Sequence, residues 1–192
     1  MTALEQANQL KAKFGDLISE PIGAHGEVTV QVADAERIGD LCTFAKAELG
    51  FDYLVDISSL DNYGEDPRWT VVYHLRGLVN RCELRLKTSV SEEKSELPTV
   101  TGVWRTADWH EREIYDMMGI RFRGHPDLRR ILMWDGYPYF PLRKDFPLGG
   151  KPTQIPEVAF TQTAPLEGGP FVTAPGGKDA IEREPRVRTP EN

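Results

Sequence analysis

The sequence predicts an α+β domain, in which a mixed or antiparallel sheet carries helices on one side. A strand pattern at 28–32 is followed by a helical pattern at 34–49, so this helix is expected to pack back on a sheet. Residues 69–78 and 81–90 each alternate apolar and polar side chains around a tight turn. This pattern is typical of an antiparallel hairpin with one face in water.

The elements before the hairpin follow from local patterns. Apolar residues at helical spacing predict a helix over 3–14 that ends at Gly15. Asp34 is expected to cap the next helix at its start. A strand is expected at 53–60, because the run 61–67 that follows it is rich in turn-forming residues.

After the hairpin the patterns are shorter. The charged run 91–98 is interpreted as a break, and 100–104 as a short strand. From Thr106 to Met118 the pattern is helical again, and Gly119 stands where a left-handed cap is expected. This last helix therefore closes the predicted domain.

The last helix is unusually polar. Asp108, Arg112 and Asp116 are spaced to form a ladder of exposed charges along one face. The predicted core face carries Ala107, His110, Ile114, Met117 and Met118. Glu111 and Tyr115 form a third stripe. The helical spacing does not decide whether this stripe faces solvent or a partner.

The chain is predicted to have three parts: an α+β domain over 1–118, an irregular docking segment over 119–147 continuous with it, and an extended or partly disordered tail over 148–192. Eight of the 14 prolines lie in the last 46 residues, which therefore cannot sustain a helix or a central strand. Single apolar residues spaced along 147–175 favour an extended peptide laid on another protein.

Charge and composition bound the function. A net charge of −7 argues against non-specific binding to nucleic acid or anionic lipid. There is no apolar run long enough to span a bilayer and no signal-peptide pattern, so the chain is expected to be soluble and cytoplasmic. Cys42 and Cys82 are interpreted as buried thiols in a reducing compartment.

Motifs that carry chemistry are scarce. No glycine-rich phosphate loop is present, and two cysteines are too few for an iron–sulfur cluster. His110 and Glu113 have a permissible helical spacing for a metal, but nothing completes the set, so a structural role is favoured. His125, Pro126 and Asp127 are interpreted as a turn rather than an acid/base site. We therefore predict no catalytic, cofactor-binding or metal-binding residues.

The segment 120–147 is instead predicted to dock on a partner. It carries six basic residues against three acidic ones and is rich in aromatic rings, which single-stranded nucleic acid binders also use. The interspersed aspartates favour a protein partner over a polyanion. The predicted docking residues are Arg121, Phe122, Arg123, Arg129, Arg130, Trp134, Tyr137, Tyr139, Arg143, Lys144 and Phe146.

Residues 111–132, EREIYDMMGIRFRGHPDLRRIL, resemble the signature of the thirty-kilodalton subunit family of respiratory complex I. The residues at 136–137 and 141–147 are also similar to the family's ending. The matching signature positions are Glu111, Arg112, Glu113, Asp116, Met117, Met118, His125, Arg129, Ile131 and Leu132.

The resemblance implies a cofactor-free subunit in the peripheral arm of the proton-translocating NADH:quinone oxidoreductase. Such a chain would be non-catalytic by itself, with FMN and iron–sulfur clusters on other subunits. It would lie at the cytoplasmic face of the bacterial inner membrane without entering it, mainly against the large subunit that shapes the quinone pocket. The alternatives are the homologous subunit of a membrane-bound hydrogenase or formate hydrogenlyase complex, and a stand-alone RNA- or anion-binding module.

Overall fold

The computed structural model describes residues 2–151, and the tail predicted beyond them lies outside the described residues. The chain divides after Gly136 into two compact units. The first unit contains the helices α1 (Ala3–Phe14), α2 (Ile38–Ala47) and α3 (Ala107–Met118). Its strands are β1 (Ile22–Ala24), β2 (Glu27–Val32), β3 (Tyr53–Asp61), β4 (Trp69–Gly77), β5 (Cys82–Val90), β6 (Glu96–Pro98) and β7 (Arg121–Arg123).

The main sheet is mixed and has five strands in the order β1-β2-β5-β4-β3. All neighbours are antiparallel except β2 and β5, which run parallel with Val28 opposite Leu84. The hairpin of β4 and β5 pairs Trp69 with Val90 and Leu75 with Leu84. The predicted α+β fold with a mixed sheet is thereby confirmed.

One face of the sheet carries the core. On β4 and β5 every second residue is buried, from Trp69 to Leu75 and from Cys82 to Val90. Residues of all three helices join them in one apolar cluster, including Leu10, Leu41 and Ile114. Burial of one such side chain stabilises the fold by about 1.5–3 kcal/mol, so period-two alternation alone fixes which face receives the helices.

Helix α1 is fastened at its start and in its middle. Thr2 and Glu5 form a reciprocal capping box, as the first-turn sequence allows. The buried Gln6 donates from Nε2 to the carbonyl oxygen of Leu49 at 2.6 Å, and its Oε1 accepts from the Cys82 thiol at 2.7 Å. One side chain thus links α1 to the end of the α2 segment and to β5. Cys42 and Cys82 are both buried free thiols, as predicted.

Two expectations for the stretch after the hairpin are wrong. Residues 100–104 form a turn, in which the amides of Val103 and Trp104 donate to the Val100 carbonyl at 2.9 and 3.0 Å. The charged run 91–98, interpreted as a break, contains β6. A three-residue strand has only one inward-facing side chain, which is too little for an alternating pattern to reveal.

Strand β7 lies inside the segment that was expected to be irregular. It pairs in parallel with β6, and Leu97 stands opposite Phe122. Both side chains are buried in the core, with Phe122 at 2% exposure. This two-stranded sheet therefore attaches the start of the predicted docking segment to the domain.

Arg68, just before β4, forms a buried ion pair that the sequence patterns did not predict. Arg68 donates from Nε and Nη2 to the two carboxylate oxygens of Asp61 at 2.8 and 2.9 Å, and from Nη1 to Glu92 at 2.5 Å. The Arg68 guanidinium also lies over the rings of Trp69 and Tyr63. It therefore joins β3, β4 and the loop after β5.

Between residues 2 and 151, none of the helices has the length and apolar character that crossing a bilayer requires.

Candidate docking site

Helix α3 carries polar side chains that are buried. Glu111 and Asp116 are both 0% exposed, and Arg112 is 8% exposed. The predicted ladder of exposed charges on Asp108, Arg112 and Asp116 is therefore wrong. Arg112 and Asp116 instead bond the segment that follows the helix. Gly119 ends α3 in the predicted left-handed conformation, with φ at 78°, and its amide donates to the Tyr115 carbonyl at 2.9 Å.

Asp116 binds three consecutive backbone amides. Its Oδ2 accepts from the N–H groups of Ile131, Leu132 and Met133 at 3.0, 2.7 and 2.8 Å. Its Oδ1 accepts from Arg130 Nη1 at 2.5 Å. Burial raises the pKa of this carboxyl, but the amides and the Arg130 guanidinium outweigh that effect and hold the pKa below its ordinary value. Asp116 is therefore an ionised anchor for the chain that passes it.

Arg112 binds the backbone just before that point. Its Nε donates to the carbonyl of Arg129 at 3.2 Å, and its Nη2 donates to the carbonyl of Arg130 at 3.3 Å. Residues i and i+4 of a helix lie on the same face, so Arg112 and Asp116 bind consecutive stretches of the same segment. We call residues 129–133 the clamped strip, because these two side chains hold its carbonyls and amides in one conformation.

Glu111 holds a different loop in place, the turn that follows β6. Its Oε2 accepts from the Thr99 hydroxyl at 2.5 Å, and its Oε1 accepts from the Val100 amide at 2.8 Å. Burial is the main cause that raises the pKa of Glu111 to about 7, with a smaller contribution from Asp108. Glu111 is thus a buried carboxyl whose charge changes near neutral pH.

His125 lies against this carboxyl. Its side chain is fully buried, and its Nε2 is 3.9 Å from Glu111 Oε2 and 3.3 Å from the Asp108 carbonyl oxygen. Its Nδ1 accepts from the Asp127 amide at 3.0 Å, so a neutral ring carries its proton on Nε2. The turn interpretation of 125–127 agrees with this geometry, in which the ring bonds the backbone of its own turn.

The first-unit docking residues fall into two groups. Arg121 and Arg129 are exposed, and Trp134 is half-buried. Phe122 belongs to the core and cannot reach a partner from the described position. Arg123 bridges Glu36 and Glu96, and Arg130 is bound to Asp116. Phe122, Arg123 and Arg130 therefore make their described contacts within the chain.

The second unit gathers the remaining predicted docking residues. The rings of Tyr137 and Tyr139 meet edge to face at 5.7 Å, and Phe146 lies 6.1 Å from Tyr139. Arg143 lies over the Phe140 ring, and Lys144 is exposed. Tyr139, Arg143 and Phe146 line a cleft of about 230 Å³. Tyr137 itself is buried.

Two exposed side chains beside the clamp were not among the predicted docking residues. Trp109 is 61% exposed and lies one turn before Arg112, whose guanidinium is 5.1 Å from the indole ring. Leu132 of the clamped strip is 59% exposed. Periodicity also left the buried position of Glu111 open, although Ala107, Glu111 and Ile114 follow one helical stripe and could have placed it on the core face.

The remaining signature residues have structural positions. Met117 and Met118 are in the core, Ile131 is half-buried, and Glu113 is exposed. His110 pairs with Asp56, its Nδ1 lying 3.2 Å from the carboxylate oxygen. Within residues 2–151 no group of three or more histidine, cysteine, aspartate or glutamate residues could hold a metal ion.

The first unit is a mixed-sheet domain whose last helix, α3, holds the clamped strip in place. Residues 31–152 match the family described as the respiratory-chain NADH dehydrogenase, 30 Kd subunit. The chain belongs to this family, and the resemblance seen in residues 111–132 is confirmed. Every residue of the clamp lies within the matched range.

Individual relatives agree. The C 2 subunit of the NADH-quinone oxidoreductase of Rhizobium etli (strain CIAT 652) is 52% identical over 140 residues, which cover 72% of this chain and 74% of that protein. The C subunit of the same enzyme in Geotalea uraniireducens (strain Rf4) is 48% identical over 142 residues, covering 74% and 86%. These identities favour complex I over the hydrogenase alternative.

Solved structures share the fold. The trypsin-resistant fragment (1-134) of Nqo5 aligns with a TM-score of 0.57 at 35% identity, covering 67% of this chain and all of that fragment. A chain of the membrane-bound sulfane sulfur reductase, an archaeal respiratory membrane complex, aligns with a TM-score of 0.65 at 23% identity, covering 75% and 85%. The second likeness shows the fold alone.

Proposed function

We propose that this chain is a non-catalytic docking subunit in the peripheral arm of a proton-translocating NADH:quinone oxidoreductase. The observation that carries the proposal is the clamp. Asp116 and Arg112, two signature residues, use their charged groups to hold five residues of backbone at the surface. Charged groups that fix a backbone in this way prepare a surface for binding, since preorganisation lowers the entropy cost of association.

The partner we propose is the large subunit that shapes the quinone pocket. On this proposal FMN and the iron–sulfur clusters reside on other subunits, and the chain sits peripherally at the cytoplasmic face of the inner membrane. The family membership supports this assignment. The extended peptide along the neighbour is proposed for 147–175, and residues 152–175 of it lie outside those described.

The docking set that we propose is smaller than the set predicted from the sequence. It comprises the exposed or half-buried members Arg121, Arg129, Trp134, Tyr139, Arg143, Lys144 and Phe146, together with Trp109 and Leu132. Aromatic and arginine side chains are the usual anchors of protein interfaces, and this set is rich in both. Phe122, Arg123 and Arg130 are left out because they are engaged within the first unit, and Tyr137 is left out because it is buried.

The test is assembly of the complex in native membranes. A tagged full-length chain should copurify with the other NADH-quinone oxidoreductase subunits, and the variant Trp109→Ala with Arg129→Glu should lose them. The matched control is Tyr63→Ala with Arg76→Glu, which changes an exposed aromatic and an exposed arginine on other elements. Normal assembly of the first variant, or equal loss in both, would contradict the proposal.

A further inference from the structure

The buried carboxyl of Glu111 joins three separate parts of the fold. From α3 it bonds the Thr99 hydroxyl and the Val100 amide of the turn that follows β6. Its Oε2 also faces His125, whose turn leads directly into the clamped strip. Both the carboxyl and the imidazole are fully buried. No part of the clamp needs this pair, because Arg112 and Asp116 account for the bonds described above to residues 129–133.

We propose that Glu111 is a proton-operated latch: with its proton bound, the carboxyl fixes the turn at 99–101 and the His125 turn to α3, and when the proton is lost both turns open more readily. The physical reason is the cost of an ionised carboxylate in a site closed to water. Opening the turns lets water reach the carboxylate and relieves that cost.

The Thr99 hydroxyl and the Val100 amide favour the charged carboxylate and lower the pKa of Glu111, but the effect of burial is larger. Asp108 on α3 adds another negative charge. Tyr73 on β4 and Cys42 on α2 also face it closely enough to interact electrostatically, and burial raises the pKa of both well above the ordinary values, so they stay neutral. The His125 imidazole is a further neighbour, with Nε2 3.9 Å from Glu111 Oε2 and 3.5 Å from Asp108 Oδ1. The latch is therefore a carboxyl among neutral or acidic groups with a single imidazole beside it.

The direction of the effect follows from linkage. The folded-state pKa of Glu111 is raised from 4.5 to about 7, so its contribution to stability is fully present below pH 4.5 and is lost as the pH rises through 7. Between pH 6 and pH 8 the equilibrium constant for opening should therefore rise about tenfold. A group with an unshifted pKa would give no such rise.

Hydrogen exchange of the full-length chain measures the opening directly. The Val100 amide, which bonds Glu111, should show the tenfold rise in its opening constant after correction for the intrinsic exchange rate. Glu111→Gln keeps an acceptor for this amide but cannot titrate, so its opening constant should change less than about twofold. Glu113→Gln, an exposed change on the same helix, should behave like the unaltered chain.

A further variant identifies the titrating group. His125→Asn keeps a side-chain acceptor for the Asp127 amide and removes the imidazole, and it should retain the rise. Loss of the rise in this variant with retention in Glu111→Gln would overturn the proposal, as would an unaltered chain with no rise at Val100. If Glu111→Gln does not fold, carbon-13 titration of the Glu111 carboxyl in the unaltered chain decides: a midpoint near 7 supports the latch, and one below about 5 overturns it.

The latch has a consequence for the clamped strip. Opening the His125 turn frees the segment that enters the strip, so partner binding should weaken between pH 6 and pH 8, and Glu111→Gln should remove this dependence. This consequence rests on the proposed docking function. The exchange test needs no partner, so a failure of docking and a failure of the latch give different results.

Discussion

Asp116 and Arg130 form a buried ion pair, with Nη1 of the arginine 2.5 Å from Oδ1 of the aspartate and 3.0 Å from its backbone carbonyl. The same carboxylate binds the next three amides of the chain. The Asp116 side chain thus holds both the Arg130 guanidinium and the backbone of the three residues that follow Arg130. An arginine that the sequence offered as a partner contact is part of the internal support.

Replacement of Asp116 should destabilise the fold. Asp116→Ala leaves three amides without their acceptor and removes the carboxylate from a largely buried guanidinium, which should lower the free energy of unfolding by about 3 kcal/mol. Asp116→Asn keeps one acceptor oxygen and should lower it by about 1–2 kcal/mol. Urea unfolding of the full-length chain measures both changes. Asp135→Asn, on an exposed aspartate two residues after the strip, is the control and should have little effect. Equal effects at the two positions would contradict the clamp.

The pH dependence of the Asp116 contribution has a defined sign. Its folded-state pKa lies below the ordinary 3.8, so the stability it supplies is present above pH 3.8 and is lost only as the pH falls further. Destabilisation by Asp116→Asn should therefore be the same at pH 5 and pH 7 and should shrink towards pH 3. Thermal unfolding across this range checks it. A loss that already begins above pH 5 would disagree with an ionised, well-bonded carboxylate.

Arg112 should not tolerate lysine. The substitution Arg112→Lys leaves one side-chain nitrogen, which cannot reach the carbonyls of Arg129 and Arg130 in the same forked geometry. We expect a loss of about 1–2 kcal/mol in the free energy of unfolding and faster exchange of the amides in the clamped strip. Arg105→Lys, an exposed change just before the helix, is the control and should alter neither. Normal exchange in the Arg112 variant would show that Asp116 suffices alone.

Gln6 gives a test of the domain away from the docking site. Gln6→Ala removes the buried partners of the Leu49 carbonyl and the Cys82 thiol, so it should lower the free energy of unfolding by about 2–3 kcal/mol. Asn8→Ala, on the exposed face of the same helix, should stay within about 0.5 kcal/mol of the unaltered chain. Chemical unfolding of both variants provides the measurement. Similar small losses would mean that α1 is held by apolar contacts alone.

The main elements of the fold could be predicted because their signals are periodic. Alternation over nine residues located β4 and β5, and glycine caps located the ends of α1 and α3. β6 and β7 could not be found this way, because three residues expose only one side chain to the core. Their pairing depends on Leu97 meeting Phe122 from a distant part of the chain, which local patterns do not record.

The organisation of the candidate site was harder to predict than its location. Charge and aromatic content marked the segment that the clamp holds, yet they could not tell which arginines face outward. Arg130 and Arg129 are neighbours with the same chemistry, but one is bound to Asp116 and the other is exposed beside Asp127. Tertiary bonds decide between them. Periodicity likewise assumed that a charged helix face is exposed, whereas backbone amides and carbonyls can satisfy Arg112 and Asp116 when they are buried.

The proposal that the clamped strip is a contact surface for the large neighbouring subunit can be tested by crosslinking. A photo-crosslinking amino acid in place of Leu132, which is exposed within the strip, probes this surface in the assembled complex. We expect a crosslink to the large subunit, and loss of that crosslink when Asp116→Ala is added. The contradicting result is a Leu132 probe that captures no other subunit in intact complex, while a probe at the exposed Val79 of the hairpin tip captures the large one.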